Sequence, residues 1–353
     1  MRHNRPARSR DSPQRPSRWS RRRKALCIVA LLACNVTPAP ANDSTAELAI
    51  GGLVLPRDAG ISIESQELTI APDQVTIRYV FLNPGSAPAT VTVALQLPDI
   101  DLSETDNHSI PSDDPANFVA FETKIDGKAV TFKLNQRAVL GEKDVSASIR
   151  SAGLPLLLIG AQQNRIAELP KEARNRLAGE GLLIPAGTDM KGRQLHSASW
   201  TVKTSATRRQ TFPAGQPVLV EHRYRASVGM SHDTVLRKGL RDNAAMGPEV
   251  KRYRAAYCVG DDLLRGIDRI AGDAEANTAN VRERRISYAF ATGANAPAPV
   301  KDFRLVVDKG RPEHLVSFCL DNVKKITPTA FEVKMKDFTP ERGLKILLIG
   351  KSD

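Results

Sequence analysis

The stretch QVTIRYVFLNPG, running from Gln74 to Gly85, alternates in polarity almost to its end. Successive side chains of an extended chain point to opposite sides, so Val75, Ile77, Tyr79 and Phe81 share one face. Thr76 and Arg78 lie on the other, and the β-branched and aromatic content suits a half-buried strand. Asn83-Pro84-Gly85 then breaks it: proline lacks the N–H a sheet needs, and glycine admits the backbone angles of a turn.

The same period of two recurs on either side, in ISIESQELTI from Ile61 and ATVTVALQLP from Ala89. Further on, FVAFETKIDGKAVTFKL sets Asp126-Gly127 between two strand-like runs, the pattern of a tight hairpin. Short strands with no helix between them predict an antiparallel sandwich over 42–153. The middle segment changes character. Between Pro155 and Ile184, Ile159, Ile166, Leu169 and Leu177 fall at helical spacing, Pro170 suits the first turn of a second helix, and Gly179 and Gly181 stop it. A helical insert is therefore expected over 154–190.

From 191 to 353 strands resume: SASWTVKT, PVLVEHRYRAS after the turn TFPAGQP, RRISYAFAT, KDFRLVVDK, HLVSFC, AFEVKMKDF and LKILLIG. One helix interrupts them near 261–271, where Leu263, Leu264, Ile267 and Ile270 form a stripe and Asp261 stands near its N-terminus. The expected fold is mainly β with helical insertions: two antiparallel, sandwich-like regions joined by a short helical segment.

The formal charge of +12 points first to an acidic partner, but its placement argues otherwise. Residues 1–41 hold ten of the 51 Lys and Arg and one of the 39 acids, so the remainder carries 41 bases and 38 acids, or +3. A near-neutral body has no footprint for a phosphate backbone, which excludes nucleic acid as the expected partner. The basic segment reads as an export signal. SRRRK precedes the apolar run ALCIVALLAC, too short to span a membrane, and Ala39-Pro40-Ala41 offers a cleavage site before Asn42. The expected location is the periplasm. LLAC, Leu31 to Cys34, is an imperfect lipobox, so a lipid anchor on Cys34 is the alternative to soluble export. With Cys27 and Cys34 in the signal, Cys258 and Cys319 remain, and an oxidising compartment would join them. A bridge closing so long a loop stabilises by about 4 kcal/mol on the chain-entropy argument.

A series of motifs resembles one bacterial family. NDSTAELAIGGLVL after the cleavage site is followed by YVFLN, LPDI, NFVAFETKIDGKAV, TFPAGQPVLVEHRY and YCVGD. TGANAPAPVKDFRLVVDKG, FCLDNVKKITPTAFE and DFTPERGLKILLIG complete it. Together they resemble the domain-of-unknown-function family numbered 4424, across Asn42 to Gly350. The resemblance implies an exported, cell-envelope protein and no particular reaction. Two departures stand out: Ala296, and the pair Arg208-Arg209, occupy positions where the family pattern leads us to expect aromatics.

Catalytic patterns are sparse. The histidines are His3, His108, His196, His222, His232 and His314, and none forms a pair at metal-ligand spacing. His222, two before Tyr224 on a strand, reads as structural, and His232-Asp233 as a turn. The acidic run from Asp99 to Pro115 offers Asp99, Asp101, Glu104, Asp106, Asp113 and Asp114 as oxygen donors, without the glycine and closing glutamate of an EF-hand. A solvated loop is the simpler account. There is no G-x-S-x-G, Walker loop or H-E-x-x-H, so no cofactor, metal site or catalytic residue is assigned. In the loop before KDFRLVVDK, strands follow where a phosphate-cradling turn would need a helix. We read that loop as a fastening of the scaffold with a partner surface at its tip, Gly293, Asn295, Ala296 and Pro297. The expected function is non-enzymatic binding or scaffolding of another envelope protein. The alternative is a periplasmic hydrolase of saccharide or peptidoglycan, its acids gathered by folding.

Overall fold

In the computed structural model, residues 50–51, 53–56, 59–103, 108–226, 228–272, 281–290, 299–340 and 343–351 are described. The strand Val75–Leu82 buries Val75, Ile77, Tyr79 and Phe81 and turns Arg78 outward, as its alternation predicts. It lies inside an eight-stranded sheet. From one edge the order is Lys324–Lys325, Ala330–Phe338, Val300–Asp308, Ser62–Ile70, Val75–Leu82, Pro217–Tyr224, Glu122–Ile125 and Lys128–Val130. Its last turn is the expected hairpin, with Asp126 and Gly127 both at positive φ (48° and 77°) and Ile125 paired to Lys128.

Two six-stranded sheets cover the buried face of this large sheet. One is built around Lys133–Leu140, Thr201–Phe212 and Ala89–Gln96, the other around Leu315–Phe318, Leu344–Lys351 and Val281–Ala289. A single apolar cluster draws on all three, including Ile77 and Phe81, then Leu95, Val202 and Phe212, then Ile286, Tyr288, Ile346 and Leu348. Consecutive short strands Ile50–Gly51 and Leu53–Val54 pair with one small sheet and then the other, joining their edges. The large sheet's outer face is a ladder of ion pairs. Arg304 reaches Glu67 at 2.6 Å and Glu332 at 2.7 Å, Lys301 reaches Glu64 at 2.8 Å, and Arg78 reaches Glu221 at 3.1 Å.

The chain passes between layers at two corners. Val75–Leu82 and Ala89–Gln96 are consecutive but in different sheets, and so are Thr201–Phe212 and Pro217–Tyr224. Buried Asn83 ties the corners together. Its Nδ2 donates to the carbonyls of Phe212 (3.0 Å) and Ala87 (2.9 Å), its Oδ1 accepts from the Gly85 N–H (3.0 Å), and its own carbonyl accepts from Gly215 N–H (2.8 Å). Beside it Phe81 meets Phe212 edge-on, ring centres 5.6 Å apart, one ring from each layer.

Three expectations need correction. The strands do not form separate regions on either side of 154–190. Val75–Leu82 pairs with Pro217–Tyr224, and Lys133–Leu140 with Thr201–Phe212, so both halves share sheets. The described residues accordingly fall in one compact unit. Nor is the pairing wholly antiparallel: Ser62–Ile70 and Val300–Asp308 run parallel, Ile63 opposite Val300 and Ile70 opposite Val307. A parallel pair needs a long connection, and here most of the chain supplies it. Third, the insert is only partly helical. Gly160–Ile166 is 3₁₀ and Lys171–Gly179 α-helical, with Ile159, Ile166, Leu169 and Leu177 buried, but Leu183–Thr188 and Gln194–Ala198 form a separate two-stranded ribbon. Trp200 anchors the insert by donating its indole N–H to the Leu156 carbonyl at 2.7 Å.

Helix Asp261–Ala271 forms as expected, burying Leu264 and Ile267. A second helix, Gly247–Tyr257, was not expected, because only Tyr253 and Tyr257 of it are buried and no apolar stripe announces it. Both pack on one small sheet, where Tyr253, Tyr257, Leu264 and Ile267 cluster with Val281, Leu347 and Ile349. The strand Leu344–Lys351 is thus covered on both faces, which explains the unbroken buried run ILLIG, 346–350, that follows Lys345. Cys258 and Cys319 are bonded, with Cα atoms 5.1 Å apart, locking the end of helix Gly247–Tyr257 to this sheet. Among the described residues no helix is long and apolar enough to cross a membrane.

Asn83→Ala deprives two carbonyls and one N–H of their partner, so we expect a loss of about 2–3 kcal/mol in urea unfolding. Glu221→Ala, in the surface ladder, should cost less than about 1 kcal/mol. Thiol labelling of the unreduced, denatured protein should find neither Cys258 nor Cys319 free, and reduction should lower stability by up to about 4 kcal/mol.

Candidate functional site

The strand Val281–Ala289 reads VRERRISYA, and its pleat divides four charged residues between two faces. Ile286 and Tyr288 point into the core beneath the large sheet. A period of two carries the same face back to Arg284 and Arg282, beyond the point where the apolar cluster ends. The neighbouring strand does likewise: Ile346 and Leu348 are core, and the next residue on that face is Gly350, opposite Arg282. The gap between the layers therefore continues past the core as a basic cleft of about 250 Å³.

The opposite rim comes from two turns of the large sheet. Ser62–Ile70 ends at Pro72-Asp73, and Val300–Asp308 ends at Lys309-Gly310-Arg311. Because these strands are parallel, their C-terminal ends emerge side by side. They touch at Gly310, whose φ is +83° and where a Cβ would come 3.1 Å from the Pro72 ring. Buried Lys309 fastens the following loop by donating to the carbonyls of Pro312 (2.5 Å) and His314 (2.6 Å), and desolvation lowers its pKa. His314 Nδ1 lies 2.9 Å from the Lys309 carbonyl, which can only accept, so Nδ1 carries the proton and Nε2 is left toward Gly350. A Cβ at Gly350 would fall 2.7 Å from that ring, so the glycine leaves the space the histidine uses.

Among the described residues, Arg282, Arg284, Arg311 and Lys351 line the cleft together with His314 and one carboxylate, Asp73. The Asp73 side chain is 91% exposed and 3.8 Å from Arg284, a contact worth little in water. In a larger hollow on the outer face of the large sheet, Arg304, Lys334 and Lys336 each pair with Glu67, Glu332 or Asp302. Arg304 holds the Glu332 carboxyl below its usual range. On the helix-facing side of the basic strand, Glu283 and Arg285 are buried as a pair, joined by Tyr253, whose hydroxyl lies 3.1 Å from Glu283 Oε1 and 3.0 Å from Arg285 Nη1. That network holds the helix to the sheet, although Glu283 Oε2 and Arg285 Nε are buried with no hydrogen-bond partner among the described residues.

The residues singled out from sequence are mostly elsewhere. Gly293, Asn295, Ala296 and Pro297 lie outside the described residues, as do Glu104 and Asp106. Three other acids of that run are engaged separately: Asp99 with Lys203, Asp101 with Ser103, Asp114 with the Ala116 N–H. Among the described residues no three metal-donor side chains cluster. Asp233 is held by Arg237, both oxygens 2.8 Å from its Nε, rather than by His232.

His222 is fully buried among Phe121, Phe132 and Tyr79, with Nδ1 2.9 Å from Thr123 Oγ1. Nε2 has no hydrogen-bond partner among the described residues, and burial pushes the pKa down to about 3. It is a structural, neutral histidine. The unfolded chain takes up its proton near the ordinary value of about 6.5 and the folded one does not, so stability held above that pH is lost as pH falls toward 3. Between pH 6 and 4 the protein should lose about 2–3 kcal/mol more than His222→Gln does, read as the difference between the two urea-stability slopes.

The family model described as Domain of unknown function (DUF4424) matches residues 41–347. No curated protein matches the chain. Among solved structures, the fold is similar to a "putative nutrient binding protein" of Legionella pneumophila, with 11% identity over 86% of this chain and 72% of that one and a TM-score of 0.42. It also matches an M1 zinc metallopeptidase of Deinococcus radiodurans, with 9% identity over 83% of this chain and 43% of that one and a TM-score of 0.25. The chain thus spans less than half of the peptidase.

Proposed function

The chain belongs to the DUF4424 family, and we propose that it is an exported, non-enzymatic binding module of the bacterial cell envelope that takes an anionic ligand in the basic cleft. One observation carries this reading: positions that pleat toward the opposing layer, where a sandwich places apolar side chains, are here arginines around a cavity. Arginines turned into a cleft favour a negatively charged ligand. Export is supported by the basic and apolar segment before Asn42, and by a disulfide of the kind kept in oxidising compartments. Binding fits the cleft better than glycoside hydrolysis, which needs two carboxylates flanking the bond, whereas among the described residues Asp73 is the one carboxylate lining it.

The test is thermal unfolding of the chain from Asn42 in acetate, succinate, citrate, sulfate and inorganic phosphate at constant ionic strength. At least one anion should raise Tm, and Arg284→Glu should abolish that rise. A panel without effect on the unaltered protein would refute the assignment.

A further inference from the structure

We propose that the ribbon of Leu183–Thr188 and Gln194–Ala198 is a membrane contact, its tip seated in the interface of a bilayer that contains anionic phospholipid. This goes beyond the cleft and does not depend on it. The ribbon leaves the body at Leu183 and Ala198, which are buried and paired with each other. Beyond them every residue from Ile184 to Leu195 is exposed apart from half-buried Asp189, and the two strands pair only with one another. Side chains of an extended strand alternate between faces, so exposure at consecutive positions means that neither face has a layer against it. Yet the ribbon is not polar. Ile184, Met190 and Leu195 are three of the six large apolar side chains exposed among the described residues. Ile184 and Leu195 share a face, because Ile184 lies opposite Ser197 and Leu195 is two residues from Ser197. Met190 stands at the turn and is 106% exposed.

The turn is built to hold the methionine there. Asp189 Oδ1 accepts from the N–H groups of Lys191 (2.9 Å) and Arg193 (2.8 Å), and Oδ2 accepts from Arg193 Nε (2.7 Å). The Asp189 N–H donates to the Arg193 carbonyl (3.0 Å) and the Gly192 N–H to the Asp189 carbonyl (2.9 Å), with Gly192 at φ +72°. Four of the five N–H groups of 189–193 are thus satisfied within the turn. A tip whose backbone groups are already paired leaves water with little penalty.

Shape and charge indicate what covers it. A stable protein interface takes about 800 Å² from each partner, and three side chains on a narrow ribbon fall short of that. Strand addition along Leu183–Thr188 is opposed by Pro185, which has no N–H, and by Gly187 at φ +92°, where the register shifts. A bilayer interface needs no matching pocket and accepts a convex apolar tip. Asp189 is paired with Arg193, so two cations and one acid leave the turn one net positive charge, with Lys191 next to the methionine. Beside an inserted Met190, the Lys191 stem lies along the acyl boundary and its ammonium meets an anionic headgroup.

The test is cosedimentation of the chain from Asn42, which keeps every described residue and omits the basic segment that would bind such vesicles by itself. Vesicles of equal parts phosphatidylglycerol and phosphatidylcholine should carry the protein down. Met190→Asp should weaken that binding about tenfold or more with Tm unchanged, and Lys191→Gln should weaken it about fivefold. In Met190→Trp the added indole should shift its emission to the blue on these vesicles and be quenched by brominated acyl chains, a response the unaltered chain, with Trp200 buried, should lack. No sedimentation, or sedimentation that Met190→Asp leaves unchanged, would overturn the proposal, as would equal binding to phosphatidylcholine alone. Release by Arg284→Glu in place of Met190→Asp would put the headgroup in the cleft, and a dimer abolished by Met190→Asp without vesicle binding would give the ribbon to a second copy. Either result refutes the membrane contact.

Discussion

The hydrogen bonds between Ser62–Ile70 and Val300–Asp308 run in the parallel sense, and the remainder of the architecture is organised by that direction. An early strand and a late strand lie side by side at the centre of the large sheet, with most of the chain forming the excursion between them. Strands on both sides of this pair bury one face, and two small sheets share it. The parallel sense also brings the Pro72-Asp73 turn and the Lys309–Arg311 turn to the same rim. Had the pair been antiparallel, those turns would stand at opposite ends of the sheet and one wall of the cleft would be missing. Asn83 plays the complementary part at the corners, holding the crossings between layers with a buried amide whose donors and acceptor are all used.

The strand Val281–Ala289 shows how one pleat can serve three environments. Toward the large sheet it supplies Ile286 and Tyr288 to the core, then Arg284 and Arg282 to the cleft. Toward the helices it supplies Glu283 and Arg285, a buried pair that would be costly without the Tyr253 hydroxyl and the opposite charge beside it. The arginines at 282 and 284 avoid such a cost because they lie where the layers part and are only half-buried. The site is therefore an end effect of the sandwich, placed where apolar packing stops but both walls continue.

Local stereochemistry made much of the fold legible. Alternation in QVTIRYVFLN, the Asp126-Gly127 hairpin, the Asp261–Ala271 stripe and the apolar run ILLIG each report a local preference or a burial pattern. The helix Gly247–Tyr257 was hidden because two tyrosines carry its packing and the rest is polar. The ribbon Leu183–Thr188 with Gln194–Ala198 was hidden because its strands are largely exposed and contain Gly187 and Pro185. The cleft had a faint signal: VRERR puts arginines at 282 and 284, where the strand's own period asks for core residues, and DKG marks a turn that such a strand could meet.

By itself, then, the sequence determined the β character, the position of most turns, the near-neutral body behind a basic N-terminal segment, the cysteine pair and the family. These depend on residues close in the chain, or on composition, where backbone sterics and side-chain polarity act directly. Which strands pair, in which direction, and what faces what across the layers were decided only by the tertiary structure. Asp73, Arg284, Gly310 and Gly350 are distant in sequence and unremarkable singly. They form one site because closing a shared apolar core forces their strand ends to the same edge of the sandwich.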